Sequence, residues 1–237
     1  MEDLPPPGRF DRFRSLPLTL FVGFSAALLA SIFVQLGSEM AEGETRAFDM
    51  SLLRAAQALR AGHPWVAAVM RDLSGLGSTA VLTLCTTVTV GYLALVSARK
   101  VAWLVAVAVT AGAVGISVLK AIFDRGRPDA AFAELVVSGL SFPSGHAGMS
   151  AIVFLTVGAL LASTRRRPVE RTYILAVATF MTVLVGLSRV ALGVHWATDV
   201  LAGWAYGFAW ALVWLLIARR HVRGGGPDSD RDQVVVP

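Results

Sequence analysis

Three separated stretches of this chain carry side chains that can grip and attack an anion. The first is Lys120 followed seven residues later by Arg127-Pro128. An ammonium is a point charge and a guanidinium a planar fork, so the two can converge on one anion. The second is Pro143-Ser144-Gly145-His146, which runs straight into an apolar segment. Ser or Pro at that place marks a helix N-terminus, whose free N–H groups and dipole favour phosphate. Gly145 lets an anion approach the backbone, and His146 stands beside it. The third is Ser188-Arg189, then His195 and Asp199. Residues four apart share a helix face, so Asp199 can hold one ring nitrogen of His195 and fix its tautomer. The other nitrogen is then free to act as a nucleophile or base. Taken singly, each stretch also has a plainer reading: cations snorkelling to an interface, an N-cap with an incidental histidine, and a His–Asp pair of purely structural value.

These residues need elements to hold them, and the composition says which kind. Apolar residues make up 55% of the 237 and charged residues only 16%. A soluble domain carries about 25% charge, and disordered chains are poor in apolar residues, so a polytopic membrane protein is expected. Runs free of Asp, Glu, Lys and Arg cover 15–38, 73–98, 101–119, 147–163, 172–188 and 200–218. About 20 apolar residues cross a bilayer as a helix, and lipid leaves the backbone no partner but itself. The fold class is therefore all-α, a six-transmembrane helix bundle occupying 15–222. The first run exceeds the ~7–15 residues of a signal peptide's apolar region, so it is expected to be a retained span. Residues 1–14 and 223–237, rich in Pro, Gly and Asp, are expected to be disordered cytoplasmic ends.

Between the first two spans, 44–62 is too polar to cross. Phe48, Leu52, Ala55, Ala56 and Leu59 alternate with Arg46, Asp49, Gln57 and Arg60 at helical spacing. This predicts a short amphipathic helix, lying on the outer membrane surface or packed on the bundle.

With a cytoplasmic N-terminus, thirteen of the 21 basic residues fall on the inside. The positive-inside rule then puts both termini in the cytoplasm. The net charge of +5 is distributed as such topology signals, which argues against a nucleic-acid partner. Odd-numbered spans end on the face where even-numbered spans begin. Lys120, His146, Arg189, His195 and Asp199 are therefore co-facial, on the non-cytoplasmic side. Ionisable residues at membrane depth are expensive and usually functional.

Together the three stretches resemble the type 2 phosphatidic acid phosphatase superfamily. Its signature reads Lys, six residues, Arg-Pro; then Pro-Ser-Gly-His; then Ser-Arg, five residues, His, three residues, Asp. Lys120, Arg127-Pro128, Pro143 to His146, Ser188-Arg189, His195 and Asp199 match it in order and spacing. The resemblance implies a lipid phosphate phosphatase. His195 would attack phosphorus to form a phosphohistidine, Asp199 would orient it, and His146 would protonate the leaving oxygen. Lys120, Arg127, Arg189, Ser144 and Gly145 would hold the phosphoryl oxygens.

No cofactor and no metal are implied, and three converging cations would repel a divalent ion. The expected substrate is a lipid phosphate or diphosphate in the bilayer: polyprenyl diphosphate, phosphatidic acid or phosphatidylglycerol phosphate. Richness in Ala, Val, Gly and Arg suggests a bacterial protein, multi-pass in the plasma (inner) membrane, with its site facing the periplasm or exterior. A non-catalytic lipid carrier would have favoured a degenerate signature. A soluble haloperoxidase needs a soluble domain, and a channel or transporter needs ionisable residues deep in several spans.

Overall fold

A computed structural model describes residues 10–223, with side chains from 17 to 220. Every element among them is helical: α1 (Phe10–Ala41), α2 (Arg46–Gly62), α3 (Trp65–Gly75), α4 (Thr79–Leu95), α5 (Arg99–Phe123), a 3-10 turn (Ala130–Phe132), α6 (Gly145–Ser163), α7 (Pro168–Ala191) and α8 (Ala197–Arg223). Six segments are long and apolar enough to cross a membrane: Pro17–Ala41, Trp65–Leu95, Arg99–Phe123, Gly145–Ser163, Pro168–Ala191 and Ala197–Arg220. The six-span bundle expected from the sequence is present. Of the two ends expected to be disordered, 1–9 and 224–237 lie outside the described residues, and α1 already begins at Phe10.

The second span differs from the expected one. Arg71 and Asp72 interrupt the apolar run, which placed its start at 73. Both are exposed on α3, and the helix reaches back to Trp65. It breaks at Leu76-Gly77, and Ser78 caps α4 by accepting from the Val81 N–H. That break lies against the site described below.

Small residues let α6 and α8 meet closely. A Cβ on Gly203 would come within 2.7 Å of the Ser144 carbonyl oxygen, and one on Gly207 within 2.5 Å of that of Gly148. Without a hydrophobic force between helices in lipid, such backbone approach drives packing. It holds the N-terminus of α6 beside that of α8. Beneath them Phe142 is fully buried, 4.7 Å from Phe123 and 5.7 Å from Phe33 between ring centroids. Aromatic pairs of this kind add ~0.5–1.5 kcal/mol each beyond burial, and they tie the segment before α6 to α1 and α5.

Helix α2 packs against α7 and α8, the second of the two placements its pattern allowed. Its faces run opposite to those of a helix on a soluble core. Asp49, Leu53 and Arg60 are buried, while Phe48, Leu52 and Leu59 point outward. Arg60 donates to Glu134 Oε1 at 3.0 Å, to the Phe132 carbonyl at 2.7 Å and to the Ala191 carbonyl.

Candidate active site

The nucleophile candidate sits at a turn. Gly193 has φ +70°, and a Cβ there would overlap the Phe132 carbonyl, so only glycine fits this corner. His195 follows, ahead of α8 rather than within it, and Asp199 lies in the first helical turn. The pair still forms, with His195 Nδ1 3.2 Å from Asp199 Oδ2. Asp199 also reaches back to accept the Trp196 N–H at 3.0 Å, half of a capping box. Ser141 Oγ donates to the same carboxylate oxygen, and Arg125 Nη1 donates to Oδ1 at 2.6 Å. A carboxylate surrounded by donors is ionised, so Nδ1 carries the His195 proton and Nε2 carries the lone pair. Burial holds the imidazole down, to about 4, with Asp199 pulling upward and Arg127 and Arg189 pressing further down. The ring is neutral near pH 7.

Three cations lie around the two histidines, Arg127 against that lone pair. Arg127 Nη1 is 3.1 Å from His195 Nε2 and donates to the Val194 carbonyl at 2.8 Å; its Nε donates to the Gly139 carbonyl at 2.9 Å. Burial lowers the Arg127 pKa, which Asp199 opposes. Lys120, in the last turn of α5, donates to the carbonyls of Leu140 at 2.6 Å and Ser141 at 3.2 Å. The helix ends just beyond it at Asp124, φ +44°, four residues before Pro128. Arg189 is 3% exposed, donates to Ser74 Oγ, and has its Nε buried with no protein partner. Among the described residues, none of the three cations has a carboxylate within salt-bridge distance.

Ser144 caps α6, its hydroxyl accepting from the Ala147 N–H. Its own N–H is committed to the Asp199 carbonyl at 2.9 Å. The backbone donors left for an anion are those of Gly145 and His146, which open the helix and have no intrahelical acceptor. A Cβ on Gly145 would lie 3.9 Å from Lys120 Cε, and one on Gly77 3.5 Å from His146 Cδ2. His146 thus sits beside the α3–α4 break, within electrostatic range of Arg189, His195, Arg127 and Lys120. All eight residues singled out from the sequence gather at one end of the bundle.

The structure adds partners the sequence reading had not assigned to the site: Asp49, Ser74, Arg125, Ser141 and Thr198. Arg125 Nη2 donates to Asp49 Oδ2 at 2.7 Å, and its Nη1 donates to Thr198 Oγ1 at 2.7 Å besides Asp199. Asp49 also accepts the Thr198 N–H at 2.9 Å and its hydroxyl at 2.7 Å. The one sequence signal for Asp49 was its helical register with Leu53 and Arg60, which puts all three on one face of α2.

A six-span helical bundle with a His–Asp pair and a cationic cradle at one end defines a class. The model of the PAP2 superfamily matches residues 100–223, just over half of the chain, and the chain belongs to that superfamily. Among its relatives is phosphatidylglycerophosphatase B of Bacillus subtilis (strain 168), 43% identical over 94 residues. That alignment covers 38% of this chain and 44% of the relative, so the chain matches less than half of the relative's length. A crystal structure described as the first transmembrane PAP2 type phosphatidylglycerolphosphate phosphatase from Bacillus subtilis superposes with a TM-score of 0.76. It is 26% identical and covers 83% of this chain and 97% of that one.

Proposed function

We propose that this protein is a membrane lipid phosphatase that removes the terminal phosphate of a lipid phosphate through a phosphohistidine, without a metal. One observation carries the reading: three cations without carboxylate partners gather around His195 and His146, with Arg127 Nη1 3.1 Å from the unprotonated Nε2 of a neutral His195. A buried donor such as Arg189 Nε calls for an acceptor, and a phosphate dianion supplies several.

In the first step the His195 Nε2 lone pair forms a bond to phosphorus as the bond to the lipid oxygen breaks. His146, favoured as the imidazolium once the phosphate dianion offsets the surrounding cations, gives its proton to that leaving oxygen. Asp199, on Nδ1, stabilises the positive charge that develops on the ring. Arg127, drawn from Nε2 to a phosphoryl oxygen, joins Lys120, Arg189 and the N–H groups of Gly145 and His146 around the equatorial oxygens, where the transition-state charge resides. In the second step water attacks the phosphohistidine, His146 takes the water proton, and phosphate leaves with His195 restored. Metal independence is favoured by the charge of the site, since Lys120, Arg127 and Arg189 around the histidines would repel a divalent ion.

Phosphatidylglycerol phosphate is the first candidate substrate, on the likeness to the Bacillus proteins. A cleft of about 260 Å³ adjoins Arg127 and is lined by Glu134, Val136 and Val194. It offers a carboxylate acceptor for glycerol hydroxyls. Both termini are placed in the cytoplasm and the site on the outer face of the plasma membrane, as the distribution of basic residues supports.

The test is phosphate release from phosphatidylglycerol phosphate, phosphatidic acid and a polyprenyl diphosphate in detergent with EDTA. The expected result is turnover by the native chain, greatest on phosphatidylglycerol phosphate, and none by His195→Ala. Lipid binding without release would instead make the chain a non-catalytic lipid-binding protein.

A further inference from the structure

Behind the nucleophile lies a buried assembly whose side chains make no hydrogen bond to Lys120, Arg127 or Arg189. Arg125, its side chain 13% exposed, forks between two fully buried carboxylates, Asp49 on α2 and Asp199 on α8. Asp49 is locked in turn by the Thr198 N–H and hydroxyl. Its helix precedes the segment that the family model matches.

A simple ion pair between Arg125 and Asp199 would be neutral and would drain the carboxylate's hold on the imidazole. With Asp49 sharing the guanidinium, the assembly keeps one net negative charge, directed at His195 through Asp199 Oδ2. The other charged and titratable groups facing His195 are Arg127 from the 124–129 loop, Arg189 from α7 and His146 from α6. None of them is an anion. The bracket is thus the sole negative counterweight, among the described residues, for the positive charge that forms on His195 when it bonds to phosphorus.

Resting on the reading of His195 as the nucleophile, we propose that Asp49 and Arg125 are positioning residues. Through them α2 sets the orientation and charge of Asp199 and hence the reactivity of His195.

The experiment uses the full chain in detergent. Asp49→Asn keeps the size and one of the two acceptor oxygens for Thr198 but removes the charge. Its kcat is expected to fall on the order of 10- to 100-fold, the range for a small misplacement of reacting groups, with KM unchanged. Asp49→Glu restores part of the rate. Arg125→Lys, which keeps the charge but cannot fork across both carboxylates, falls in the same direction and carries the test should Asp49→Asn not fold. Arg54→Gln, an exposed charge on the same helix, changes nothing.

The ¹⁵N signals of His195, assigned by their absence in His195→Ala, are expected to shift in Asp49→Asn whether or not substrate turns over. Unchanged kcat and unchanged His195 signals with a lower melting temperature would make the bracket structural and overturn the proposal. Raised KM at constant kcat would overturn it too. Shifted signals in Asp49→Asn, with a native chain that releases phosphate from no lipid, would uphold the coupling while removing the phosphatase reading.

Discussion

The cradle and the bracket stand on opposite sides of His195 and use the same kind of side chain to opposite ends. Arg125 is held between two carboxylates. Arg127, Lys120 and Arg189 have none, and lean on backbone carbonyls or on a serine hydroxyl instead. Carbonyls and hydroxyls orient a cation without neutralising it, so its charge stays available to an incoming anion. Carboxylates on both sides of a cation fix the geometry and leave a net negative charge. A buried cation without a counterion, as Arg189 is, costs stability, and the proposed role in holding an anion accounts for its being kept.

The sharpest way to break this contrast is to remove one cation from each side. Arg189→Met is expected to lower kcat/KM by about 10³-fold, in the range for losing a group that stabilises transferring phosphoryl charge. Its melting temperature should hold or rise, because an unpaired buried charge has gone. Arg125→Met leaves two carboxylates facing each other, and should destabilise the fold by ~3–5 kcal/mol. Thermal unfolding and activity measured on both variants would contradict the contrast if Arg189→Met lost as much stability as Arg125→Met.

The two histidines sharpen it. His146→Ala should lose about 10²-fold on a lipid phosphate and far less on an aryl phosphate, whose leaving oxygen needs little protonation. Equal losses on both would remove His146 as the acid. A ¹⁵N titration of the free protein should find His195 still neutral at pH 6, since burial outweighs Asp199 and protonation sets in near 4 rather than 6.5. A midpoint at 6.5 would contradict the dominance of burial over Asp199 at His195. The smallest effect is expected at Glu134, the partly exposed partner of buried Arg60. Glu134→Gln should change stability by less than ~1 kcal/mol, read as a small shift in melting temperature.

The cradle was legible in the sequence, while most of the bracket was not. Lys120, Arg127, His146, Arg189, His195 and Asp199 sit at or near the ends of spans, and counting crossings places span ends on one face before any packing is known. Asp49 and Ser74 lie in segments whose partners are 76 or more positions away, and no local pattern announces such a pairing. The alternation in α2 showed two faces without saying which environment each would meet. In a membrane protein the apolar face of Phe48, Leu52 and Leu59 can turn outward, so the polar face was free to enter the bundle. The start of the second span was misplaced because Arg71 and Asp72 look like an interruption. On a helix at the membrane edge they are exposed.

Vanadate mimics the five-coordinate phosphoryl group, and its binding to the detergent-solubilised protein in EDTA tests the cradle most directly. Saturable binding is expected, lost in Arg189→Met and retained in Asp49→Asn, since the first variant removes a ligand and the second only adjusts the nucleophile. Absence of saturable binding by the native chain, or binding that survives Arg189→Met unchanged, would contradict the account.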